Sequence, residues 1–383
     1  MIQPIFISGA GIVSAIGFGK AETLSSLRSG RSGIAPLKYL KTSLVDVPLG
    51  EVKATNAELA SLCGASEELP RTSLLGIAAL KEALDQAGLK DLSGEPLIGG
   101  TTVGGMDLTE ATFPHYNALH DCGSSTEAIA AHFGGAPFST TLSTACSSAA
   151  NAVIMGANLI RSGRYPIVAV GGAEALSSFH LNGFNSLMIV DRTPCRPFDA
   201  TRSGLNLGEG AAFLILESEE SLRSRGARPI GRLSGFGNAC DAYHQTASSP
   251  TGEGAFLAME KALSSADLHP GDIDYVNAHG TGTPDNDAAE SAALRRLFGD
   301  CLPPVSSTKA FTGHTTSASG SIEAVICLLA LAEGFIPRQL NWKEPDPACI
   351  QPSVVEVERP LRHVLCNSFG FGGNDTSLLI SNA

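Results

Sequence analysis

The sequence predicts an α/β layered fold built from two similar halves. Strand patterns alternate with helical patterns along the chain, as in proteins whose helices cover the faces of a sheet. A second block, which begins near Arg228, repeats the buried strand and glycine turn that open the first block. No linker rich in proline, glycine or serine separates the two blocks. We therefore expect residues 1–228 and 229–383 to form two halves that share one core.

The first half carries the signals of two helices and four strands. Residues 71–87 repeat leucine and alanine at helical spacing and are followed by Gly88, which suits a helix C-cap. Residues 146–161 are a nearly unbroken run of small and apolar side chains, which predicts a helix buried on all sides. The strands are predicted over residues 4–13, 97–103, 165–170 and 211–217.

The second half is expected to follow the same alternation of strands and helices. Its predicted elements are a strand over 229–236, a helix over 254–266, a strand over 273–278, a helix over 321–332 and a strand over 378–381. Ligands bind at the ends of strands in α/β sheets, so the residues that follow the 273–278 strand become candidate site residues.

The composition argues against several classes of function. The net charge of −12 is unsuited to nucleic-acid binding, which needs clustered lysine and arginine. The first residues show no secretory signal, and the longest apolar runs, such as 322–332, are short for a bilayer and interrupted by Glu323. Nine cysteines without any Cys-x-x-Cys fit reduced thiols rather than disulfides or a zinc site. We expect a cytoplasmic chain with no membrane span, no nucleic-acid partner and no resident metal.

Cys146 is the first candidate for chemistry. It follows a β-prone approach and opens the predicted buried helix of residues 146–161. Unpaired N–H groups and a partial positive charge at a helix N-terminus stabilise a thiolate, so we expect Cys146 to have a lowered pKa and to act as a nucleophile. The alternative is that Cys146 is a small core residue, as most buried cysteines are.

Two histidines beside glycines are the next candidates. His279 follows the 273–278 strand and opens the motif His-Gly-Thr-Gly-Thr, and His314 closes the motif Thr-Gly-His. Lys309 lies five residues before His314, and Glu323 lies nine residues after it. A lysine near a histidine tunes its charge state, and a buried lysine needs an acidic partner. The alternatives are a structural histidine at a glycine turn and an exposed lysine on a loop.

The stretch Asn367–Asn374 is the fourth candidate. It reads Asn-Ser-Phe-Gly-Phe-Gly-Gly-Asn between two predicted strands, and its glycines give the backbone unusual freedom. Its N–H groups could face a developing oxyanion. The alternative is a plain hairpin turn.

Taken together and in this order, these motifs resemble the β-ketoacyl-acyl-carrier-protein synthases, specifically the type I/II elongating branch of the thiolase superfamily. The likeness covers nearly the whole chain. Further matching motifs are Gly171-Gly172-Ala173-Glu174, Arg196-Pro197-Phe198-Asp199, Gly208-Glu209-Gly210-Ala211 and Asp241-Ala242-Tyr243-His244.

The resemblance implies a five-layered α-β-α-β-α fold and a role for each catalytic candidate. Cys146 would take the acyl group from a carrier thioester, and the N–H groups of Cys146 and Phe371 would form the oxyanion hole. His279 and His314 would hold the malonyl carbonyl and stabilise the enolate, with Lys309 in support. Glu323 would support the same network.

The resemblance also implies substrate-binding residues. Thr281 and Thr283 would contact the phosphopantetheine arm, Phe371 would be a gate, and Val103 and Phe184 would line the acyl tunnel. Phe369 is a further candidate beside the gate. No soluble cofactor is implied, because the substrates are carried on the phosphopantetheine of an acyl carrier protein.

Some family members hold a monovalent cation, and the matching positions here are Asn277, Glu290, Glu323 and Asn367. Hydrogen bonds within this buried group are the alternative. The resemblance further implies a dimer, either a homodimer or a heterodimer with a related ketosynthase-like subunit.

Three positions depart from the family pattern. Met188 stands where family members carry an arginine that docks the acidic carrier, and the helix start near Arg71 is less basic than expected. Carrier docking is therefore expected to use other residues or a partner subunit. The glycine loop continues Asn374-Asp375 instead of Thr-Asn, which leaves the role of Asn374 open.

We therefore expect a β-ketoacyl synthase that performs decarboxylative condensation of malonyl carrier with an acyl group on Cys146, in fatty-acid or polyene/polyketide biosynthesis. The alternative is a non-catalytic partner resembling a chain-length factor, although such partners usually lack the nucleophilic cysteine. Thiolases use a second cysteine and initiating synthases use an asparagine, so the two histidines with Lys309 fit neither. A cysteine hydrolase lacks support, because no orienting His–Asp or His–Asn pair stands out.

Overall fold

The computed structural model describes residues 3–116 and 120–383. The strands are β1 (Ile5–Ser14), β2 (Gly17–Phe18), β3 (Leu97–Gly100), β4 (Ser139–Leu142), β5 (Ile167–Glu174), β6 (Gly210–Ser218), β7 (Gly231–Cys240), β8 (Tyr275–Asn277), β9 (Val305–Ser306), β10 (Phe335–Ile336), β11 (Val357–Glu358), β12 (His363–Gly370) and β13 (Asn374–Ser381). The helices are α1 (Gly19–Ser29), α2 (Asn56–Cys63), α3 (Arg71–Ala87), α4 (Met106–Thr112), α5 (Cys122–His132), α6 (Ser148–Arg161), α7 (Ser178–Ser186), α8 (Glu219–Arg225), α9 (Glu253–Ser265), α10 (Pro284–Phe298), α11 (Lys309–Thr312) and α12 (Ser319–Glu333).

Most strands join one mixed sheet in the order β4-β3-β5-β6-β1-β7-β13-β12-β8-β9. Strands β4 to β1 come from the first half of the chain and β7 to β9 from the second. The two portions meet where β1 pairs antiparallel with β7, over Ile5–Ile7 only. This short seam joins two five-stranded portions that have the same plan.

Helices form three layers around these strand portions. The long helix α3 packs against β1 and β6 on one outer side, and α9 packs against β7 and β13 on the other. Helices α6 and α12 pack against each other and against strands of both portions. The largest apolar cluster includes side chains of β1, α6, α12 and β13, so it spans both halves. The architecture is therefore α-β-α-β-α with one central core.

The sequence analysis judged the apolar run of residues 322–332 too short to cross a bilayer, but the helical segment that contains it is longer. The continuous helical segment Thr316–Glu333 is long and apolar enough to cross a membrane, with a mean hydropathy of 1.3, but 83% of it is buried inside the protein. A helix enclosed between the two portions of the sheet needs apolar residues on every face, which accounts for this composition.

Several predicted boundaries shift in ways that matter for the site. The α3 bounds agree with the prediction, whereas β3 ends at Gly100 instead of Val103, because the N–H groups of Thr102 and Val103 turn to the Glu174 carboxylate. The first four residues of the predicted loop Asn367–Asn374 belong to a strand, because β12 continues to Gly370. Only the three residues from Phe371 onward form the turn.

Candidate active site

Cys146 lies in a sharp turn between β4 and α6. Ala145, which precedes it, has a left-handed backbone conformation with φ of 51°, an arrangement that costs a non-glycine residue about 1 kcal/mol. The turn is held by Ser148, whose hydroxyl accepts from the N–H of Thr144 at 2.9 Å and donates to the carbonyl of Ala145 at 2.6 Å. The helix begins at Ser148, so Cys146 sits two residues before it.

The second half of the chain brings both histidines to Cys146. His279 follows β8, and His314 follows α11 after Gly313, whose φ is 73°. The distance from His314 Nε2 to Cys146 Sγ is 3.1 Å. The two imidazole rings are 5.2 Å apart at their centroids and almost perpendicular, and all three side chains are buried. Residues separated by 168 positions in the chain therefore form one cluster.

The expectation of a lowered pKa at Cys146 is wrong. Burial raises the pKa of its thiol to about 11, although the charge of Lys309 and the N–H groups of Phe371 and Cys146 act in the opposite direction. Removing the thiolate from water outweighs these favourable contacts.

Lys309 and Glu323 form a buried ion pair behind the histidines, with Nζ and Oε1 separated by 2.6 Å. Burial raises the pKa of Glu323, and Lys309 opposes this shift. Burial also holds the pKa of His279 and His314 well below the ordinary value, and the positive charge of Lys309 lowers both further. At neutral pH each imidazole is therefore neutral and offers one N–H donor and one lone pair.

The N–H groups expected for an oxyanion hole lie next to the sulfur. The backbone N–H groups of Phe371 and Cys146 both donate toward Cys146 Sγ. Gly370 packs closely here, because a β-carbon on it would stand 3.1 Å from the Cys146 nitrogen. A carbonyl oxygen attached to the sulfur would lie within reach of both donors.

A cavity of about 270 Å³ leads from the surface to Cys146, His279 and His314. Thr281 and Thr283 line its wall, and their hydroxyls are 2.8 Å apart. The cavity lining therefore combines the hydroxyl groups of these threonines with the Cys146 sulfur.

Two phenylalanines stand beside the sulfur. The rings of Phe184 and Phe371 are stacked, with centroids 5.9 Å apart, and both line the cavity. Phe369 packs against the His279 ring at 5.8 Å. Val103, the other predicted tunnel residue, is buried and does not line this cavity; its N–H donates to Glu174.

The predicted cation positions divide into two groups. Glu290 accepts from the N–H groups of His279 and Gly280 and from Asn367, so its oxygens are already satisfied. The side-chain amide of Asn277 and one oxygen of Glu323 are buried without a partner among the described residues. These two residues would fit a monovalent cation, whereas Glu290 is held by hydrogen bonds.

The cluster of one cysteine and two histidines also has the composition of a soft metal site. Its three donor atoms lie within 4.8 Å of one another. Zinc binds these residue types. That no metal resides there stays a prediction from the sequence.

The residues considered for carrier docking fall in different environments. Met188 lines the cavity mouth and is 88% exposed, with φ of 57°. Arg71 is buried and makes two hydrogen bonds to the Glu209 carboxylate, at 2.9 and 2.7 Å. Because Arg71 is buried and paired with Glu209, its guanidinium is not exposed for docking a carrier protein.

Sequence reasoning missed how Glu174 organises the first half of the site. This carboxylate accepts from Thr101 and Thr102, and from Ser317 just before α12. It thereby ties the end of β3 to the second half of the chain, beside the Cys146 turn. The Gly-Gly-Ala-Glu motif was the available signal, but nothing in it indicated which partners the carboxylate would bind.

Comparison with known proteins agrees with this geometry. Two family descriptions match the chain: the β-ketoacyl synthase N-terminal domain over residues 3–221 and the β-ketoacyl synthase C-terminal domain over residues 230–343. Nodulation protein E of Rhizobium meliloti strain 1021 is 34% identical, over 99% of this chain and 99% of its own length. The 3-oxoacyl-[acyl-carrier-protein] synthase 2 of a Synechocystis species is 32% identical, over 98% and 97%.

A solved structure described as the ishigamide ketosynthase/chain length factor superposes with a TM-score of 0.92 at 32% identity, covering all of both chains. The matches cover both halves, the layer order and the segments that carry Cys146, His279 and His314. This chain therefore belongs to the β-ketoacyl synthase family, whose members are acyltransferases of the condensing type.

Proposed function

We propose that this protein is an active elongating β-ketoacyl synthase, which condenses a malonyl thioester with an acyl group held on Cys146. The observation that carries the proposal is the convergence of one sulfur and two neutral imidazoles in the lining of one cavity, with His314 Nε2 3.1 Å from Cys146 Sγ. The relatives named as 3-oxoacyl-[acyl-carrier-protein] synthases support carrier-bound substrates.

The first step transfers the acyl group to Cys146. The sulfur attacks the carbonyl carbon of the acyl thioester, the bond to the carrier sulfur breaks, and the carrier thiolate takes up the proton that Cys146 loses. The N–H groups of Cys146 and Phe371 stabilise the oxyanion of the tetrahedral intermediate. The acyl-cysteine carries no charge, so burial that disfavours the free thiolate does not disfavour this intermediate.

The second step makes the carbon–carbon bond. N–H donors of His279 and His314 bind the thioester carbonyl of the malonyl group, so the charge that develops as carbon dioxide leaves is stabilised as an enolate. The enolate carbon attacks the acyl carbonyl, and the Cys146 sulfur departs with its electron pair. Neutral imidazoles suit this role because they donate hydrogen bonds without protonating the enolate outright.

Lys309 and Glu323 support the two histidines in this proposal. Burial is the main cause that keeps both imidazoles neutral, the charge of Lys309 acts in the same direction, and Glu323 balances that charge. Thr281 and Thr283 bind the polar carrier arm, and Phe371 with Phe184 controls entry beside the sulfur.

The partners follow from the same family likeness. An acyl carrier protein delivers both substrates, and the chain works as a homodimer or as the catalytic member of a heterodimer, as the ketosynthase/chain length factor structure suggests. The pathway is of fatty-acid or polyene/polyketide type. A non-catalytic chain-length-factor-like role is the alternative, and the retained Cys146, His279 and His314 argue against it.

The deciding experiment separates loading, decarboxylation and condensation. Purified protein is incubated with acyl carriers of graded chain length and with malonyl carrier, and products are identified by mass. C146A should abolish acyl loading. C146Q should still decarboxylate malonyl carrier without condensing it, because the glutamine amide occupies the acyl position while the histidines remain.

H279A and H314A test the enolate-stabilising role. Each should lower malonyl decarboxylation by about 10²-fold or more, as expected when a donor to a developing oxyanion is removed. Unchanged acyl loading on C146A would remove Cys146 from the nucleophile role. Normal decarboxylation in both histidine variants would refute the enolate role, and a wild-type protein that neither loads nor condenses would favour the non-catalytic alternative.

A further inference from the structure

Cys146, His279 and His314 form a compact set of three donor groups of the kinds that zinc prefers. The Cys146 sulfur and one ring nitrogen of each histidine lie within 4.8 Å of one another, and all three side chains are buried. Around a tetrahedral zinc ion, with bonds of about 2.3 Å to sulfur and about 2.0 Å to nitrogen, neighbouring donor atoms stand roughly 3.3–3.6 Å apart. The spacing of the three donors is therefore close to that of a zinc coordination shell.

The contact between His314 and Cys146 needs little adjustment to accept an ion. His314 Nε2 and Cys146 Sγ are 3.1 Å apart, so they would have to separate by only about 0.4 Å to share a tetrahedral zinc ion. Small side-chain rotations provide such a change without any movement of the backbone. The cavity of about 270 Å³ reaches all three side chains, so a water molecule from it can serve as the fourth ligand.

The charges around the three donors permit a metal cation. Lys309, the cation that acts on Cys146 and on both histidines, is paired with Glu323 at 2.6 Å, so the pair adds no net charge. When a zinc ion binds, Cys146 gives its proton to water and the thiolate forms a bond to the metal. The negative sulfur then offsets one of the two positive charges, and each neutral imidazole contributes a lone pair.

The surroundings of His314 limit the affinity for the metal. Its Nδ1 atom is buried without a hydrogen-bond partner among residues 3–116 and 120–383. In tight zinc sites a ligating histidine donates its second N–H to a carboxylate or carbonyl, and loss of that partner typically lowers affinity about 10–100-fold. With three protein ligands and no such partner, we expect a Kd of about 1 µM, which is weaker than that of structural zinc sites. Zinc should therefore bind reversibly.

We propose that Cys146, His279 and His314 form a reversible zinc site that is filled only while Cys146 carries no acyl group. The metal and the acyl group compete for the same sulfur, because an acyl-cysteine has no thiolate with which to bind a metal. Zinc is therefore an inhibitor of acyl loading, and this consequence rests on the proposed function. The binding of zinc does not rest on it, since binding needs only the three side chains.

The first test measures zinc binding to the purified chain by competition with a chromophoric chelator, in the absence of any carrier protein. We expect one zinc ion per chain. Cobalt in place of zinc should add thiolate-to-cobalt charge-transfer absorption in the near ultraviolet, which reports a bond between metal and sulfur. C146A should weaken zinc binding by more than about 10²-fold, because it removes a ligand and not merely a partner of a ligand. Alkylation of Cys146 in the wild type should have the same effect without any mutation.

The second test measures the protection of Cys146 from iodoacetamide, followed by mass at the Cys146 peptide. Zinc at ten times its Kd leaves about one chain in eleven free, so Cys146 should be alkylated about tenfold more slowly. Cys301, an exposed thiol, is the control within the same sample and should react at an unchanged rate. H279A and H314A should each reduce the protection, and a chelator should abolish it in the wild type.

The outcomes separate the zinc site from the proposed function. Zinc binding that persists unchanged in C146A and in the alkylated protein would overturn the site, as would a rate of Cys146 alkylation that zinc does not alter. Either result would leave the proposed function untouched. Zinc binding through Cys146 in a protein that neither loads nor condenses acyl groups would support the site and refute the proposed function.

Discussion

At the scale of single residues, the site depends on groups kept neutral by burial. His279 and His314 lose their affinity for a proton because they are enclosed and because Lys309 is positive. The same enclosure disfavours the Cys146 thiolate. The site at rest therefore holds two neutral imidazoles and a protonated sulfur, and in the proposed mechanism charge develops there when a substrate carbonyl binds.

The thiol of Cys146 should titrate far above neutral pH. The difference in far-ultraviolet thiolate absorption between wild type and C146A is expected to have its midpoint near pH 11, because burial opposes ionisation. A midpoint at or below the ordinary thiol pKa of about 8.5 would contradict this and would restore the activated thiolate that the sequence suggested.

At the scale of elements, the site depends on how closely α12 approaches α6. Gly320, the second residue of α12, has no room for a side chain, since a β-carbon on it would stand 2.8 Å from the Ala150 β-carbon and 2.9 Å from its nitrogen. The Ser319 hydroxyl beside it donates to the Cys146 carbonyl at 3.2 Å. The contact between the two central helices thus reaches the catalytic turn.

G320A should lower the free energy of unfolding by about 1–3 kcal/mol, because the added methyl group overpacks this contact. G123A is the matched control: Gly123 is also the second residue of its helix, α5, and a β-carbon there meets nothing within 4 Å. That change should be stabilising by up to about 1 kcal/mol. Urea unfolding measures both, and equal effects of the two changes would refute the packing argument.

At the scale of the whole molecule, the active site lies where the two halves meet. The first half supplies Cys146 and the second supplies His279 and His314, while α6 and α12 pack between the sheet portions. At one end of the sheet, β3 is the one strand that pairs with β4 within residues 3–116 and 120–383, so the outer backbone groups of β4 are available to another chain.

The protein should therefore form a dimer through the β4 edge. Light scattering coupled to size exclusion should give twice the mass of one chain, either alone or with a related ketosynthase-like subunit. A stable monomer at micromolar concentration, with or without such a subunit, would contradict this prediction. As a control, the mass is measured over a series of protein dilutions, because a weakly associated dimer would dissociate at the lower concentrations.

Much of the fold could be predicted from the sequence. The apolar spacing of residues 71–87 predicted α3 with its actual bounds. The small apolar run after Cys146 predicted helix α6, but the helix begins at Ser148 and is not buried on all sides, because Ile154 and Met155 are half-buried and Asn158 is exposed. The ordered motifs also indicated Cys146, His279, His314, Lys309 and Glu323, which the structure brings together. The spacing of apolar residues indicates which face of a helix or strand is buried, and the ordered motifs indicate which residues are candidates for catalysis.

Only the tertiary structure decided the pKa values and the hydrogen-bond partners of the site residues, because both depend on segments that are distant in the chain. The pKa of Cys146 was predicted with the wrong sign, because desolvation comes from segments remote in the chain and the sequence indicated only the local helix end. The tunnel role of Val103 stays a prediction, but the hydrogen bond from its N–H to Glu174, 71 positions away, is seen only in the structure. The approach of the Asp241 and Asp375 side chains to Gly254 was likewise invisible, since 134 positions separate the two residues in the chain. Sequence thus determined the elements and the reactive residue types, and three-dimensional packing determined their protonation and their neighbours.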